Sequence, residues 1–281
     1  MPGQRIVTLT TDFGLVEHYV GVIKGVIYSI NPSAQLVDIT HSVQSFDILD
    51  GALAISQAYS YFPPDTVHLV VVDPGVGSSR RPIVARAGQH TFVAPDNGVL
   101  SLVYEREEAL TVHHITSEHY FLQPVSGTFH GRDIFAPVAA YLSKGVEAAK
   151  FGDQITDFVR FAAPRPKPAG PNSWKGVVLK TEKFGNLITN FTPKDVPQLF
   201  EPTPPAFRIN VGKAEVTTIR PNYSEGAQGE LFGLLGSTGF LEISMNRGSA
   251  AQDNPNGSAG APPTSKAGPG GDPSKNNDAP K

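Results

Sequence analysis

The chain has 281 residues, 40 % hydrophobic and 17 % charged, with a formal net charge of −3 and no cysteine. That length is enough for one large or two modest domains with a proper core. The composition excludes a basic nucleic-acid stripe, a membrane helix of roughly 20 apolar residues, and disulfides, thiolate metal sites and cysteine nucleophiles.

The N-terminal "MPGQRIVTLTTDFG" enters a strand (Arg5–Thr10) without the apolar core of a signal peptide, so the expected location is the cytoplasm. "YVGVIKGVIYSI" (Tyr19–Ile30) reads as a helix stopped by Asn31-Pro32. "QLVDIT" is a second strand. "SFDILDGALAISQAYSYF" is an amphipathic helix that carries Asp47 and Asp50 at its start, where the helix dipole favours acids, and it stops at Pro63-Pro64. "VHLVVV", "PIVARA" and "HTFVA" follow as strands, and "GRDIFAPVAAYLSKG" as a later helix. Strands alternating with helices predict an α/β domain over residues 1–160 with a mostly parallel, helix-covered sheet.

"FAAPRPKPAGPNS" (161–173) carries four prolines and reads as an extended linker. Beyond it come short strands with turns: "KGVVLKT", "NLITNF", "AFRINVG", "AEVTTI", "GELFGLLG" and "GFLEISM". They predict a smaller all-β domain, barrel or sandwich, over 174–248. The remainder, 249–281, has no aromatic residue and is expected to be a disordered tail.

Several short motifs could carry chemistry. Asp12 in "TTDFG" follows the first strand, either as an Asx-turn or cap or as a carboxylate for a ribose diol. No GxGxxG or GxxxxGK[ST] accompanies it. "DPGVGSSRR" offers Asp73, Arg80 and Arg81 on a glycine-rich turn. "GTFHGRD" sets His130 beside a glycine ahead of a helix, with Arg132-Asp133 at the helix start. "APDNG", with Asn97, is a turn signature first. His113, His114 and His119 lack HExxH spacing, so no metal site is expected. In the β domain, Asn186, Asn190 and Ser237 either close turns or contact a ligand.

Taken in order, "TTDFG", "VVDPGVGSSRR", "APDNG", "GTFHGRDIFAP", "KFGNLITNF" and "GSTGFLEISMN" resemble the S-adenosyl-L-methionine hydroxide adenosyltransferase family, relatives of the fluorinase and chlorinase. The resemblance runs from about Arg5 to Gly248. It implies an α/β domain, a C-terminal β-barrel domain, and a homotrimer whose substrate lies between one subunit's N-terminal domain and its neighbour's C-terminal domain. It implies a water-activating set of Asp73, Arg80 and His130, with Asp12 on the ribose diol and Phe46 and Phe129 as apolar walls. Asn186 would contact adenine and Ser237 the methionine moiety. Glu182 stands where the family usually has an Asp for the methionine ammonium.

The halogenases carry tyrosines at the slots matching Asp73 and His130, and the fluorinase a serine at the slot of Gly131. The implied reaction is attack of water on C5′ of S-adenosylmethionine, giving adenosine and L-methionine with no further cofactor. The rivals are a halide adenosyltransferase, a non-catalytic S-adenosylmethionine or adenosine sensor, and a metal phosphohydrolase using Asp12, Asp73, Asn97 and His130.

Overall fold

In a computed structural model that describes residues 5–252, the chain opens on β1 (Ile6–Thr11), α1 (Tyr19–Ile30), β2 (Gln35–Thr40), α2 (Ile48–Ala58) and β3 (Val67–Val71). Of the expected tail, 249–281, residues 253–281 lie outside the described residues. Side chains alternate along the strands. Val7, Leu9, Val67, Leu69 and Val71 pack with Ile23 and Ile27 of α1 on one face. Val70 and Val72 pack with Ile55 and Tyr59 on the other. Cover on both faces explains why β3 is an unbroken buried run.

α2 is shorter than the predicted 45–62. Asp47 caps it, accepting the Asp50 N–H at 3.0 Å. It ends at Ala58 in a 3₁₀ turn, Tyr59–Tyr61, ahead of the two prolines.

Next come β4 (Pro82–Ala87), β5 (His90–Pro95), a short α3 (Ser101–Tyr104), β6 (Leu110–His114), α4 (Ala136–Ser143) and β7 (Gln154–Ile155). α4 continues from a π-helical turn, Gly131–Phe135. The seven strands form one sheet in the order β2-β1-β3-β5-β4-β6-β7.

Only the first four are mutually parallel; β4, β6 and β7 pair antiparallel. The reason is local. Ala87 pairs with His90 across the two-residue turn Gly88-Gln89, with Gly88 at φ +56, and a two-residue connection can only reverse the chain.

The C-terminal part is strand-rich in several small sheets. β8 (Lys167–Gly170) and β9 (Ser173–Lys175) form a hairpin inside the proline-rich stretch. β10 (Val178–Thr181) and β11 (Leu187–Thr189) lead to the pair β12 (Ile209–Val211) and β13 (Ala214–Val216), then to β14 (Leu231–Leu235) and β15 (Leu241–Met245). The main antiparallel sheet runs β10-β11-β15-β14. It meets the first sheet's layer where Leu179 and Phe240 pack on Ala52, Leu53 and Leu102. Ala250, 1 % exposed and just beyond the expected end of the β domain, packs into the core with Leu187, Val216, Leu241 and Ile243. No helix among the described residues is long and apolar enough to cross a membrane.

The chain leaves β1 for β2 on one side and returns to place β3 on the other. Open α/β sheets hold ligands at such a switch point, beyond the carboxyl ends of the strands. Asp12 follows β1 directly and Asp73 lies two residues past β3.

The opposite end of the sheet carries a buried polar group. His68, fully buried, takes part in a 2.7 Å bond between its Nδ1 and Thr8 Oγ1, and its Nε2 lies 3.3 Å from His90 Nδ1. Burial, with His90 beside it, pushes its pKa down to about 3. The folded state therefore resists a proton that the unfolded chain takes up near pH 6.5. Stability from this site is complete above that value and declines as pH falls toward 3. The thermal midpoint should drop between pH 6.5 and 4 in the wild type and drop less in His68→Gln; parallel curves would contradict this.

Candidate active site

Past Val72 the chain turns through Asp73, Pro74 and Gly75. The Val76 N–H donates to the Asp73 carbonyl at 3.3 Å and the Ser78 N–H to the Gly75 carbonyl at 3.0 Å. This folds Arg80 back onto Asp73. Its Nε donates to the two carboxylate oxygens at 3.0 and 2.9 Å, and Nη2 also bonds Oδ2. The two side chains are 9 % and 6 % exposed. Removing one partner of such a buried pair typically costs about 3–5 kcal/mol. The guanidinium carbon also lies 5.1 Å from the centroid of the Phe135 ring.

His130 heads the helical run that becomes α4, and its Nδ1 sits 2.7 Å from Arg80 Nη2. Arginine has only donors, so Nδ1 accepts and the neutral ring carries its hydrogen on Nε2. Burial, and then the positive charge of Arg80, hold the His130 pKa below the ordinary histidine value. The preceding loop is tied down by Asp133, which accepts the Ser126 N–H at 2.8 Å, while Ser126 Oγ accepts the Phe129 N–H at 3.0 Å. Turn and loop meet at Gly77, φ +77, where a Cβ would run into the Gly127 carbonyl.

Asp12 accepts the Phe46 N–H at 2.9 Å. Burial raises its pKa; the Phe46 N–H opposes the rise and the negative Asp73 adds to it. The Phe46 ring is 70 % exposed. Phe129 meets Phe13 and Tyr19 edge-on, at 6.0 and 5.2 Å between centroids. Gly131 lies against this cluster, where a Cβ would come within 3.3 Å of Ile23, Phe129 and Phe13.

Asp12, Phe46, Asp73, Arg80, Phe129 and His130 thus gather beyond the carboxyl ends of β1 and β3. The other three predicted residues sit on the C-terminal part. Asn186 Nδ2 donates to Glu182 Oε1, and the Glu182 N–H donates to the Asn186 carbonyl at 3.0 Å. Ser237 is exposed at the tip of the β14–β15 turn. Among the described residues no hydrogen bond or ion pair joins the two sets.

Family models for the SAM hydroxide adenosyltransferase N-terminal and C-terminal domains match residues 7–152 and 176–254. The chain belongs to the SAM hydroxide adenosyltransferase family. Curated relatives include an (R)-S-adenosyl-L-methionine hydrolase of Salinispora tropica, 36 % identical over 87 % of this chain and 92 % of that protein. A Thermus thermophilus protein of the same name is 35 % identical over 88 % and 94 %. A fluorinase of Nocardia brasiliensis is more distant, at 25 % over 89 % and 93 %. The solved structure of an uncharacterised conserved protein from Thermotoga maritima superposes with a TM-score of 0.80 at 40 % identity, over 88 % of this chain and 95 % of that one.

Within this adenosyltransferase, neighbours of the predicted residues are committed elsewhere. Arg81 turns away from His130, with Nε and Nη2 on Asp96 at 2.9 and 2.7 Å and Nη1 on Asp157 at 2.8 Å. Asn97 donates to the Val72 carbonyl and accepts the Val99 N–H, and both Asp73 oxygens are taken by Arg80. These commitments weigh against the phosphohydrolase set. Among the described residues no group of three or more His, Asp or Glu is placed to hold a metal ion.

Phe13, Tyr19 and Asp133 were not singled out as site residues from the sequence. The Phe of "DFG" and the Tyr at the start of α1 were the available signals, but single aromatics read equally well as core.

Because a Cβ at Gly77 meets backbone and the φ is left-handed, Gly77→Ala should destabilise by roughly 1–3 kcal/mol, seen as a lowered thermal midpoint. An unchanged midpoint would mean that the turn and the 126–130 loop do not meet as described.

Proposed function

We propose that this protein is an S-adenosylmethionine hydrolase, in which water displaces methionine from C5′ of the substrate to give adenosine and L-methionine. The observation that carries this reading is the contiguous Asp73–Arg80–His130 group at the switch point, in a chain whose curated relatives bear that activity in their names.

The leaving group is a neutral thioether departing from a sulfonium, so departure needs no general acid. The demand falls on the nucleophile, because bulk water has a pKa of about 15.7. Asp73 holds Arg80 in place, and Arg80 occupies the His130 lone pair that would accept a proton.

An entering water takes over that contact. His130 Nδ1 accepts its proton while the released guanidinium N–H turns to the oxygen and stabilises its hydroxide character. The oxygen forms its bond to C5′ as the C5′–S bond breaks and the electron pair stays on sulfur. Positioned base assistance of this kind is worth about 10²–10⁴ in rate. Asp12, held by the Phe46 N–H, receives the ribose diol, with Phe46 and Phe129 as walls. Holding the water in line with C5′–S supplies the rest through proximity.

On the same reading Glu182, Asn186 and Ser237 bind the methionine and adenine ends from a neighbouring subunit of a homotrimer. The membership of the chain in this family supports this. The division into 1–160, a linker at 161–173, a β domain from 174 whose small sheets close as a barrel, and a tail that starts past the buried Ala250 rather than at 249 belongs to this proposal, as does a cytoplasmic location. S-adenosylmethionine is the substrate, and no metal or further cofactor is required.

Incubation with S-adenosylmethionine should yield equimolar adenosine and methionine, unchanged by chelator and by chloride. A halogenated nucleoside, loss of turnover on chelation, or tight binding without products would overturn the reading. His130→Ala should lower kcat by roughly 10²–10⁴ with adenosine still bound; near-normal turnover would remove His130 from the mechanism. By NMR, the His130 ring should titrate below the ordinary value of about 6.5, and higher in Arg80→Met, where the adjacent cation is gone. A midpoint that stays put would mean Arg80 does not hold it down.

A further inference from the structure

The Phe46 backbone is in the left-handed region, φ +66, which a residue with a bulky side chain adopts only when its surroundings impose it. Its ring is 70 % exposed, so packing does not supply the constraint. The backbone bonds do. The Asp47 N–H closes the turn onto the Gln44 carbonyl at 3.0 Å, and the Phe46 N–H reaches Asp12.

At the other side of the turn stands Asp50, the third residue of α2. An acid at this position commonly reaches back to the N–H of the capping residue. Here the Asp47 N–H is already used, and Asp50 Oδ2 reaches further, to the Gln44 N–H at 2.8 Å. Its Oδ1 accepts Lys180 Nζ at 2.5 Å, from β10 of the C-terminal part. The Asp50 side chain is 8 % exposed. It is therefore a buried carboxylate whose two oxygens tie the 44–47 turn to another region of the chain.

We propose that Asp50 and Lys180 are positioning residues for the nucleoside end of the substrate, holding the 44–47 turn in the strained form that presents Phe46 and its N–H to Asp12. Lys180 neutralises the carboxylate, and the carboxylate anchors the start of the turn. The strained Phe46 then keeps one Asp12 oxygen occupied and leaves the other for the ribose diol. Without Lys180 the buried charge is uncompensated and Asp50 swings toward water, releasing Gln44. The inference rests on the hydrolase reading for the role of Asp12.

The test compares the wild-type full chain with Lys180→Met, Asp50→Asn and Lys180→Arg, in steady-state hydrolysis of S-adenosylmethionine, calorimetric binding of adenosine, and thermal midpoint. Lys180→Met and Asp50→Asn should raise both KM and the adenosine Kd about tenfold or more, with kcat within about twofold of wild type. Lys180→Arg, which keeps the charge, should restore both to within about twofold. Unchanged KM and Kd in folded Lys180→Met would overturn the proposal. Unfolding of both Lys180→Met and Asp50→Asn would also overturn it, because the pair would then be a structural bond. A wild type that neither binds nor cleaves S-adenosylmethionine would instead sink the hydrolase reading, so the two failures are distinguishable.

Discussion

The ion pair between Asp73 and Arg80 is held almost out of water at the carboxyl end of β3, and the surrounding site is arranged around it. Desolvating two charges is costly, and the cost is offset only by close geometry and full hydrogen bonding. Arg80 meets both conditions by bonding both carboxylate oxygens and His130 while lying over the Phe135 ring. A turn that folds an arginine back over seven residues has to be tight. The Pro74-Gly75 corner and the left-handed Gly77 provide that tightness, and Gly77 also lets the turn touch the loop before His130. Cation, carboxylate and imidazole then come from two distant segments yet form one bonded group.

Topology determines what this group faces. The reversal of strand order between β1 and β3 places Asp12 close enough to Asp73 for that charge to help raise its pKa. On the proposed reading, Asp12 accepts the ribose diol beside the Asp73–Arg80–His130 group. The residues implied for the other end of the substrate lie on separate turns of the C-terminal strands, where Glu182 and Asn186 bond each other. On that same reading, these residues and the group around Asp73 would bind opposite ends of one substrate across a subunit boundary.

Much of this was legible in the residues themselves. The unbroken apolar run before "DPG" marked a buried strand ending in a carboxylate, and the order of six short motifs pointed to one family. The antiparallel half of the main sheet was less visible, because "PIVARA" and "HTFVA" carry apolar residues that suit either direction. The deciding signal was the length of the Gly88-Gln89 connection. The hairpin inside the proline-rich stretch was hidden by composition.

At the site, Asp73, Arg80, His130 and Asp12 each read alone as turn, cap or structural residues, and only the order of the motifs singled them out together. Phe13 and Tyr19 did not, since their role depends on which aromatics meet edge-on in space. The link from Asp50 to Lys180 spans 130 residues and leaves no local trace.

The central claim is that water attacks C5′ of S-adenosylmethionine at the Asp73–Arg80–His130 group. The most direct test is a reaction of the purified chain in ¹⁸O-water, with products resolved by mass. The account predicts adenosine carrying one ¹⁸O at its 5′ oxygen, with equimolar unlabelled methionine, and loss of this product in His130→Ala. Unlabelled adenosine, label on methionine, or undiminished labelled product in that variant would contradict it.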